Sequence, residues 1–478
     1  MPYKKDFNMN RNFNSLFSVL IHNDQSAIIS RKDGIDINWR NFQSDIRKLC
    51  QKLCSEPVHN KYLVYCKSSY EFAVALFSVW HKGSVCVLPP NNSKEVLKMF
   101  ESYVDAFITD QPDCDIKLEK IAPLQYGEEG CEEFNPLPEN EIMLELFTSG
   151  TTGERKCIRK TIANLNSELF VLNNVFGSVL ENTRTFSTVS HQHIYGLLHK
   201  ILLPICTNRL FIDETYFYPE KMIADMIEGD SKSVIISGPA HLKLLPELVN
   251  LKTISKYCKA IFSSGSLLDT ESSHRLSSQS GIYPIEVFGS TETGGVAWRS
   301  QTIDPGSEKW TPFPSIEIKK NEEGFLQVKS PFVFLEDPQD QWFTMGDIVE
   351  ICSDNRFLLC GRGDRIVKIG EKRVSLEEME KTLKSFPAVN SCKIFPITRK
   401  HGNYDRTVLA CVVETSEAVN SKESKSLVAE LKSLLLQYFT QTLVPKYWRF
   451  VQKIPLDPQG KTSMEELRKL FNSRTGNV

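Results

Sequence analysis

The chain has 478 residues, 41 % of them hydrophobic and 24 % charged, and a formal net charge of -2. That is enough chain for two to four domains around a large buried core, and so small a charge gives no electrostatic case for nucleic acid or an anionic membrane as the main partner. Thirteen cysteines, without a CxxC pair or histidines at zinc spacing, point to free thiols in a reducing cytoplasm, with Cys50 and Cys54 expected as buried thiols on one helix.

The N-terminus is charged and Asn-rich, so no signal peptide is expected, and no stretch reaches the roughly 18 apolar residues of a membrane helix. An amphipathic segment is expected over 13–21, a strand over 26–30, and a helix over 39–53 with Phe42, Ile46, Leu49 and Leu53 on one face. A buried strand at 62–65 follows, then a helix at 70–80 ended by Gly83, and a strand at 84–88 stopped by Pro89 and Pro90. This β–α–β rhythm continues through 106–109 and predicts an α/β layered fold with mostly parallel strands. The stretch 113–140, acidic and punctuated by Pro and Gly, reads as a connector.

The connector leads into LELFTSGTTGERKCIRKT at 144–161. After strand-like 142–147 come Thr148, Ser149, Gly150, Thr151, Thr152 and Gly153, followed by Arg155 and Lys156. Such a run suits an anion. Glycine lets backbone N–H groups approach closely, hydroxyls donate further hydrogen bonds, and the cations add charge. Taken alone, the same composition describes a Ser/Thr/Gly surface loop. It does not fit the Walker pattern, and neither does Gly460-Lys461-Thr462, where Pro455 stands in place of the leading glycine.

A helix at 162–176 and strands at 185–189, 209–212 and 233–236 follow. Strand 260–262 opens onto Ser263, Ser264, Gly265 and Ser266. Strand 285–288 opens onto Gly289, Ser290, Thr291, Glu292, Thr293, Gly294 and Gly295. In an open α/β sheet, ligands bind at the carboxyl ends of strands, where these loops belong. From 315 onward, alternating segments at 316–318, 325–328 and 357–360 read as a small antiparallel unit. Residues 361–380 cross into a Lys/Arg/Glu-rich piece with strands near 391–396 and 408–413 and a helix near 423–439.

Five stretches form one ordered pattern: TSGTTGERK (148–156), HQHIYG (191–196), FGSTETGG (288–295), WFTMGD (342–347) with GRGDRIVKIGEKRV (361–374), and PLDPQGK (455–461). Together they resemble the adenylate-forming superfamily of acyl- and aryl-CoA synthetases, peptide-synthetase adenylation domains and luciferases. The resemblance implies a large N-terminal domain of layered α/β subdomains with a small antiparallel β unit, over 1–363. A small mobile α+β lid domain over 364–478 would hinge at Asp364.

It also implies roles. The hydroxyl loop and Lys156 would hold the β- and γ-phosphates of ATP, Thr291 the α-phosphate, and Glu292 a Mg²⁺ ion. Ser264, Gly265 and Ser266 match the loop along which adenine lies, Phe288 its stacking face or a core residue, with Gly289 and Ser290 beside it. Asp347 matches the ribose-binding aspartate, with Arg362 as companion. Lys461 matches the lysine that reaches the substrate carboxylate and α-phosphate. His193 matches the position bordering acid and thiol. After adenylation the lid would swing, withdrawing Lys461 and bringing up the thiol-channel loop with Lys368 and Gly370. One departure is Met345, where the family usually has a hydroxyl before Gly-Asp.

The implied activity is an ATP-dependent acid–thiol ligase. It would convert a carboxylic acid to its acyl adenylate with release of pyrophosphate, then pass the acyl group to a pantetheine thiol of CoA or of an acyl carrier protein. The expected acid pocket, Tyr195, Gly196, Ser263, Gly294 and Val296 with Phe288, offers no acidic residue to pair an amino group. An aryl or fatty acid is therefore favoured. The stretch 144–212 is similar to bacterial stand-alone ligases that load such acids for aryl-polyene or related ketide pathways. Two alternatives stay open: an adenylating enzyme with another acceptor, such as an amino-acid loader, and a non-catalytic protein that kept the fold.

Overall fold

The computed structural model describes residues 13–21, 24–55, 59–124, 133–148, 156–337, 341–369, 372–401, 404–416, 421–439, 441–456 and 462–472. The chain divides into two units. One comprises Met1–Lys319, Gln327–Thr344 and Ile351–Leu358; the other comprises Lys320–Leu326, Met345–Glu350 and Leu359–Val478.

The first unit holds a six-stranded sheet in the order Lys120–Ile121, Ala106–Ile108, Lys61–Val64, Val85–Leu88, Ile142–Thr148, Lys156–Thr161. All neighbours are parallel except the last pair. The strands at 61–64, 85–88 and 106–108 are short apolar runs, as a parallel sheet covered on both faces requires. The crossover helix Ser69–His81 is buried from Tyr70 through Trp80 apart from Glu71, so it has an apolar surface nearly all round. Its N-cap Ser68 accepts a hydrogen bond from the Glu71 amide.

A nine-stranded sheet in the same unit carries the loops of interest. Its order is Thr311–Pro312, Gly294–Ser300, Ile285–Ser290, Cys258–Ser263, Ser233–Ser237, Arg184–Ser187, Phe211–Ile212, Ile28–Lys32, Ile35–Asn38. The inner strands run parallel and antiparallel pairs close both edges. In the parallel register Ser237 lies opposite Ser263, and Ser263 opposite Glu286. The carboxyl ends of these strands therefore form one rim.

In the second unit, Ser391–His401 and Tyr404–Glu414 pair antiparallel, and Tyr447–Val451 lies parallel to the latter. Side chains alternate between two cores with the period of a strand. Ile394, Leu409, Cys411 and Val413 pack with Met379, Leu383, Leu431 and Leu435. Phe395, Ala410 and Val412 pack instead with Leu467 and Phe471 of the helix Met464–Asn472.

Several expectations shift in detail. The strand expected at 185–189 is Arg184–Ser187, and 209–212 shrinks to Phe211–Ile212. The connector contains the strand Lys120–Ile121. The amphipathic segment 13–21 forms turns, with Leu16, Val19 and Leu20 buried as its pattern implied. Cys50 is buried but Cys54 is exposed, because Cys54 follows Leu53 off the packed face of its helix. Among the described residues, no helix is long and apolar enough to cross a membrane.

Candidate active site

The hydroxyl loop is anchored by two paired strands, with Thr148 opposite Lys156. Residues 149–155, and with them Ser149, Gly150, Thr151, Thr152 and Gly153, lie outside the described residues. From its end of the loop, Lys156 places Nζ 3.3 Å from Glu292 Oε1 and 5.6 Å from the Phe343 ring centre.

Glu292 stands at the tip of a β-hairpin. The sequence reads as a strand emptying into a loop. The backbone instead continues as strand to Ser290 and returns from Gly294, pairing Ser290 with Gly294 and Gly289 with Gly295. Gly294 has φ +65°, the left-handed position that closes a three-residue hairpin loop. A Cβ on Gly289 would overlap the Gly294 carbonyl. The turn is laced from within: the Ser290 amide donates to Thr293 Oγ1 (3.0 Å) and the Thr293 amide to Ser290 Oγ (3.2 Å). Thr291 and Glu292 are thus presented at a fixed tip, each partly exposed.

Beneath the tip lie two buried charges. Lys160, 1 % exposed, donates from Nζ to the Glu292 carbonyl at 2.8 Å and to the Phe332 carbonyl at 2.5 Å. Glu168, 2 % exposed, accepts from the Gly295 amide at 2.6 Å. Burial pulls the Lys160 ammonium below its usual range and pushes the Glu168 carboxyl up, and their mutual attraction opposes both shifts. Lys160 owes its place to a capping box. Thr161 accepts from the Asn164 amide while the Asn164 side chain accepts from the Thr161 amide, so strand turns into helix at Thr161, one residue after Lys160.

At the sheet rim, Ser264 Oγ donates to the Val287 carbonyl at 2.8 Å, and Gly265 has φ +90°. Gly265 and Ser266 are exposed. Phe288 packs on Trp310 (5.4 Å) and Phe357 (5.8 Å) while remaining partly exposed, so it is both a core contact and an open ring. His193 is the partly exposed N-cap of the helix Ile194–Gly196. A Cβ on Gly196 would overlap the Ser190 carbonyl. His191, two residues before His193, is instead a core residue: its ring nitrogens lie 3.1 Å from Ser69 Oγ and 2.9 Å from the Cys66 carbonyl.

Residues 21–323 match the AMP-binding enzyme family. The chain belongs to that family. The AMP-binding enzyme is 22 % identical to a malonate–CoA ligase of Arabidopsis thaliana over 86 % of this chain and 78 % of the relative. It is 24 % identical to a D-alanine–D-alanyl carrier protein ligase of Staphylococcus epidermidis, over 70 % and 73 %. Its fold is shared with the crystal structure of ATP-bound MatB from Rhodopseudomonas palustris, at TM-score 0.79, 19 % identity, and 96 % and 99 % coverage. That likeness sustains the layered α/β architecture with a large N-terminal and a small C-terminal domain expected from the motifs.

In the second unit of the AMP-binding enzyme, Asp347 is 6 % exposed, with Arg362 Nη1 3.5 Å from Oδ2. A Cβ on Gly346 would come within 3.0 Å of the guanidinium, so glycine there leaves room for the arginine. Met345 is buried. Asp364 and Lys368 are described only by their backbones, in the turn Gly363–Arg365 and the strand Ile366–Ile369. Gly370 and Lys461 lie outside the described residues. Next to Asp364, Arg365 pairs with buried Glu380, which also accepts from the Ile394 amide at 2.7 Å and from Lys393 at 3.1 Å.

Sequence reasoning missed Lys160, Glu168 and His199. A signal existed for Glu168. It occupies the Leu165, Leu169 and Leu172 stripe of its helix, a place where an acid has no reason to be unless something pairs it.

Proposed function

We propose that this AMP-binding enzyme is an ATP-dependent acid–thiol ligase acting on an aryl or fatty acid. The observation that carries the reading is the approach of Lys156 to Glu292, 3.3 Å apart across 136 residues of chain. It brings the end of the hydroxyl loop to the tip of the 288–295 hairpin. A carboxylate and an ammonium that meet at an open loop end, with hydroxyls on both sides, suit a polyphosphate carrying a divalent cation.

Glu292 fits Mg²⁺. Among the described residues no group of three or more His, Cys, Asp or Glu side chains could hold a metal alone. A lone carboxylate is the donor set expected where phosphate oxygens complete the coordination. When bound, Mg²⁺ would neutralise charge on the phosphates. The chain's own residues do the rest. Lys156 and the loop from Thr148 position the β- and γ-phosphates, and Thr291 hydrogen-bonds the α-phosphate. Ser264 to Ser266 and Phe288 flank the adenine. Asp347 accepts from the ribose hydroxyls, held in place by Arg362.

The substrate carboxylate oxygen attacks the α-phosphorus, the bond to the bridging oxygen breaks, and pyrophosphate leaves. Positioning and electrostatics carry this step. A pantetheine thiol of CoA or a carrier protein then gives up its proton and attacks the acyl carbon, and AMP departs. We assign Lys461 to the first half-reaction and the loop with Lys368 and Gly370 to the second, with His193 at the acid–thiol border and Asp364 as hinge.

ATP–pyrophosphate exchange against fatty acids, benzoates, cinnamates, malonate and amino acids tests the reading. Exchange with aryl or fatty acids, followed by acyl transfer to CoA or a carrier protein, is expected. Exchange with none, in folded protein that binds ATP, would overturn it.

A further inference from the structure

The nine-stranded sheet has a second polar space at its other end. Residues 180–184, 207–210 and 231 border a cavity of about 490 Å³, together with Asn173 and Gly177 of the helix Ile162–Leu180. These segments lead into the strands Arg184–Ser187, Phe211–Ile212 and Ser233–Ser237, which run parallel. The cavity therefore lies at the amino ends of the strands, whereas the loops at 263–266 and 288–295 belong to the carboxyl ends. No step of the proposed ligation uses it.

Arg209 lines this cavity as a buried cation, 7 % exposed. Its Nε donates to Thr207 Oγ1 at 2.8 Å and its Nη1 to Thr185 Oγ1 at 3.3 Å, both neutral hydroxyls. Among the described residues no carboxylate pairs with it, and Nη2 has no acceptor. Burial pulls the guanidinium down to about 10 with no neighbouring acid to oppose the shift, so at neutral pH it is charged and uncompensated. Asn173, 4 % exposed, lines the same cavity, and its Nδ2 finds no acceptor among the described residues. Arg184 adds a second guanidinium to the wall, held by the Gly229 carbonyl, with Asp36 and Asp230 supporting its charge. Glu181, the one carboxylate among the described lining residues, is exposed and makes no ion pair with either arginine. A buried charge and a buried amide without partners are costly, and a bound anion would satisfy both.

We infer that this cavity binds a small oxyanion, a phosphate or carboxylate group that accepts from Arg209 and Asn173 at a site separate from the nucleotide. The guanidinium fork matches two oxygens of either group, and the Asn173 amide supplies a further donor. A cation would meet Arg209 as a like charge. An apolar occupant would leave Nη2 and Nδ2 as they are, buried and unpaired.

The test is calorimetric titration of the full-length enzyme with potassium phosphate and, separately, with citrate, at constant ionic strength. A saturating non-hydrolysable ATP analogue with Mg²⁺ is present, so that the nucleotide site is already filled. One equivalent of oxyanion should bind, with a Kd of about 1 mM or tighter. Arg209→Met should weaken that binding at least about thirtyfold, because the charge-assisted bond and the counter-charge go together. Asn173→Leu removes an amide whose Nδ2 has no partner in the fold, and should weaken binding about fivefold. Neither variant should change the affinity for the ATP analogue by more than about twofold, which separates this site from the nucleotide pocket. Binding of phosphate alone, of citrate alone or of both sustains the inference and names the group. Binding of neither overturns it. So does binding that Arg209→Met leaves unchanged or, should that variant fail to fold, binding that Asn173→Leu leaves unchanged. No turnover is read, so failure of the ligase reading would leave this result standing.

Discussion

Lys160 holds the backbone of Glu292 from below: its Nζ donates to the Glu292 carbonyl at 2.8 Å, while the Glu292 side chain points toward Lys156. One lysine thus fixes the peptide and another meets the carboxylate. The two contacts use different atoms of Glu292, although its carboxylate also supports the charge of Lys160.

Lys160→Met would strand two buried carbonyls and leave Glu168 without its counter-charge. Breaking one side of a buried charge pair costs roughly 3–5 kcal/mol. Urea denaturation should show a loss of that order, and the double variant Lys160→Met/Glu168→Gln should be more stable than the sum of the singles. Strict additivity would show that the two charges do not interact.

Glu292→Gln should behave oppositely. The pair with Lys156 is half exposed, with side-chain exposures of 58 % and 24 %, so its loss should change stability by no more than about 1 kcal/mol. Pyrophosphate exchange should nonetheless fall at least about a hundredfold and require more Mg²⁺. A variant with wild-type Mg²⁺ dependence would remove Glu292 from the metal site.

Two histidines predict acid sensitivity. Burial pulls both His81 and His199 down to about 4. Unfolded, each titrates near 6.5, so between about pH 6.5 and 4 the unfolded chain binds protons that the folded chain refuses. Stability is full above the unfolded value and is lost as pH falls, by about 2 kcal/mol per histidine between pH 7 and 5. His81 packs on Phe134, and His81→Phe should flatten the slope by that share in urea titrations at the two pH values. An unchanged slope would mean that His81 protonates in place.

The two half-reactions should come apart. Lys461→Ala is expected to abolish adenylation yet largely spare thiol transfer from preformed acyl adenylate, and Asp364→Pro to do the reverse by fixing the hinge dihedrals. Equal losses in both half-reactions would remove the two-state assignment.

Much of this protein was legible in its residues alone. The short apolar runs at 62–65, 84–88 and 260–262 announce buried parallel strands because period and length leave few other packings. Five ordered motifs announced the AMP-binding family by resemblance, whereas the residue types of each loop taken alone said only that an anion could be held there. What folding alone decided is which distant groups meet. Glu292 sits on a hairpin tip rather than an open loop because strand 294–300 finds a register on 285–290. Lys160 and Glu168 read locally as one more strand lysine and one more helix acid. They become the floor beneath Glu292 only when the sheet and helix dock, because burial converts an ordinary surface charge into one that must be paired. His199 is a lone histidine in an apolar run until the fold buries it and leaves Nε2, among the described residues, with nothing to accept from.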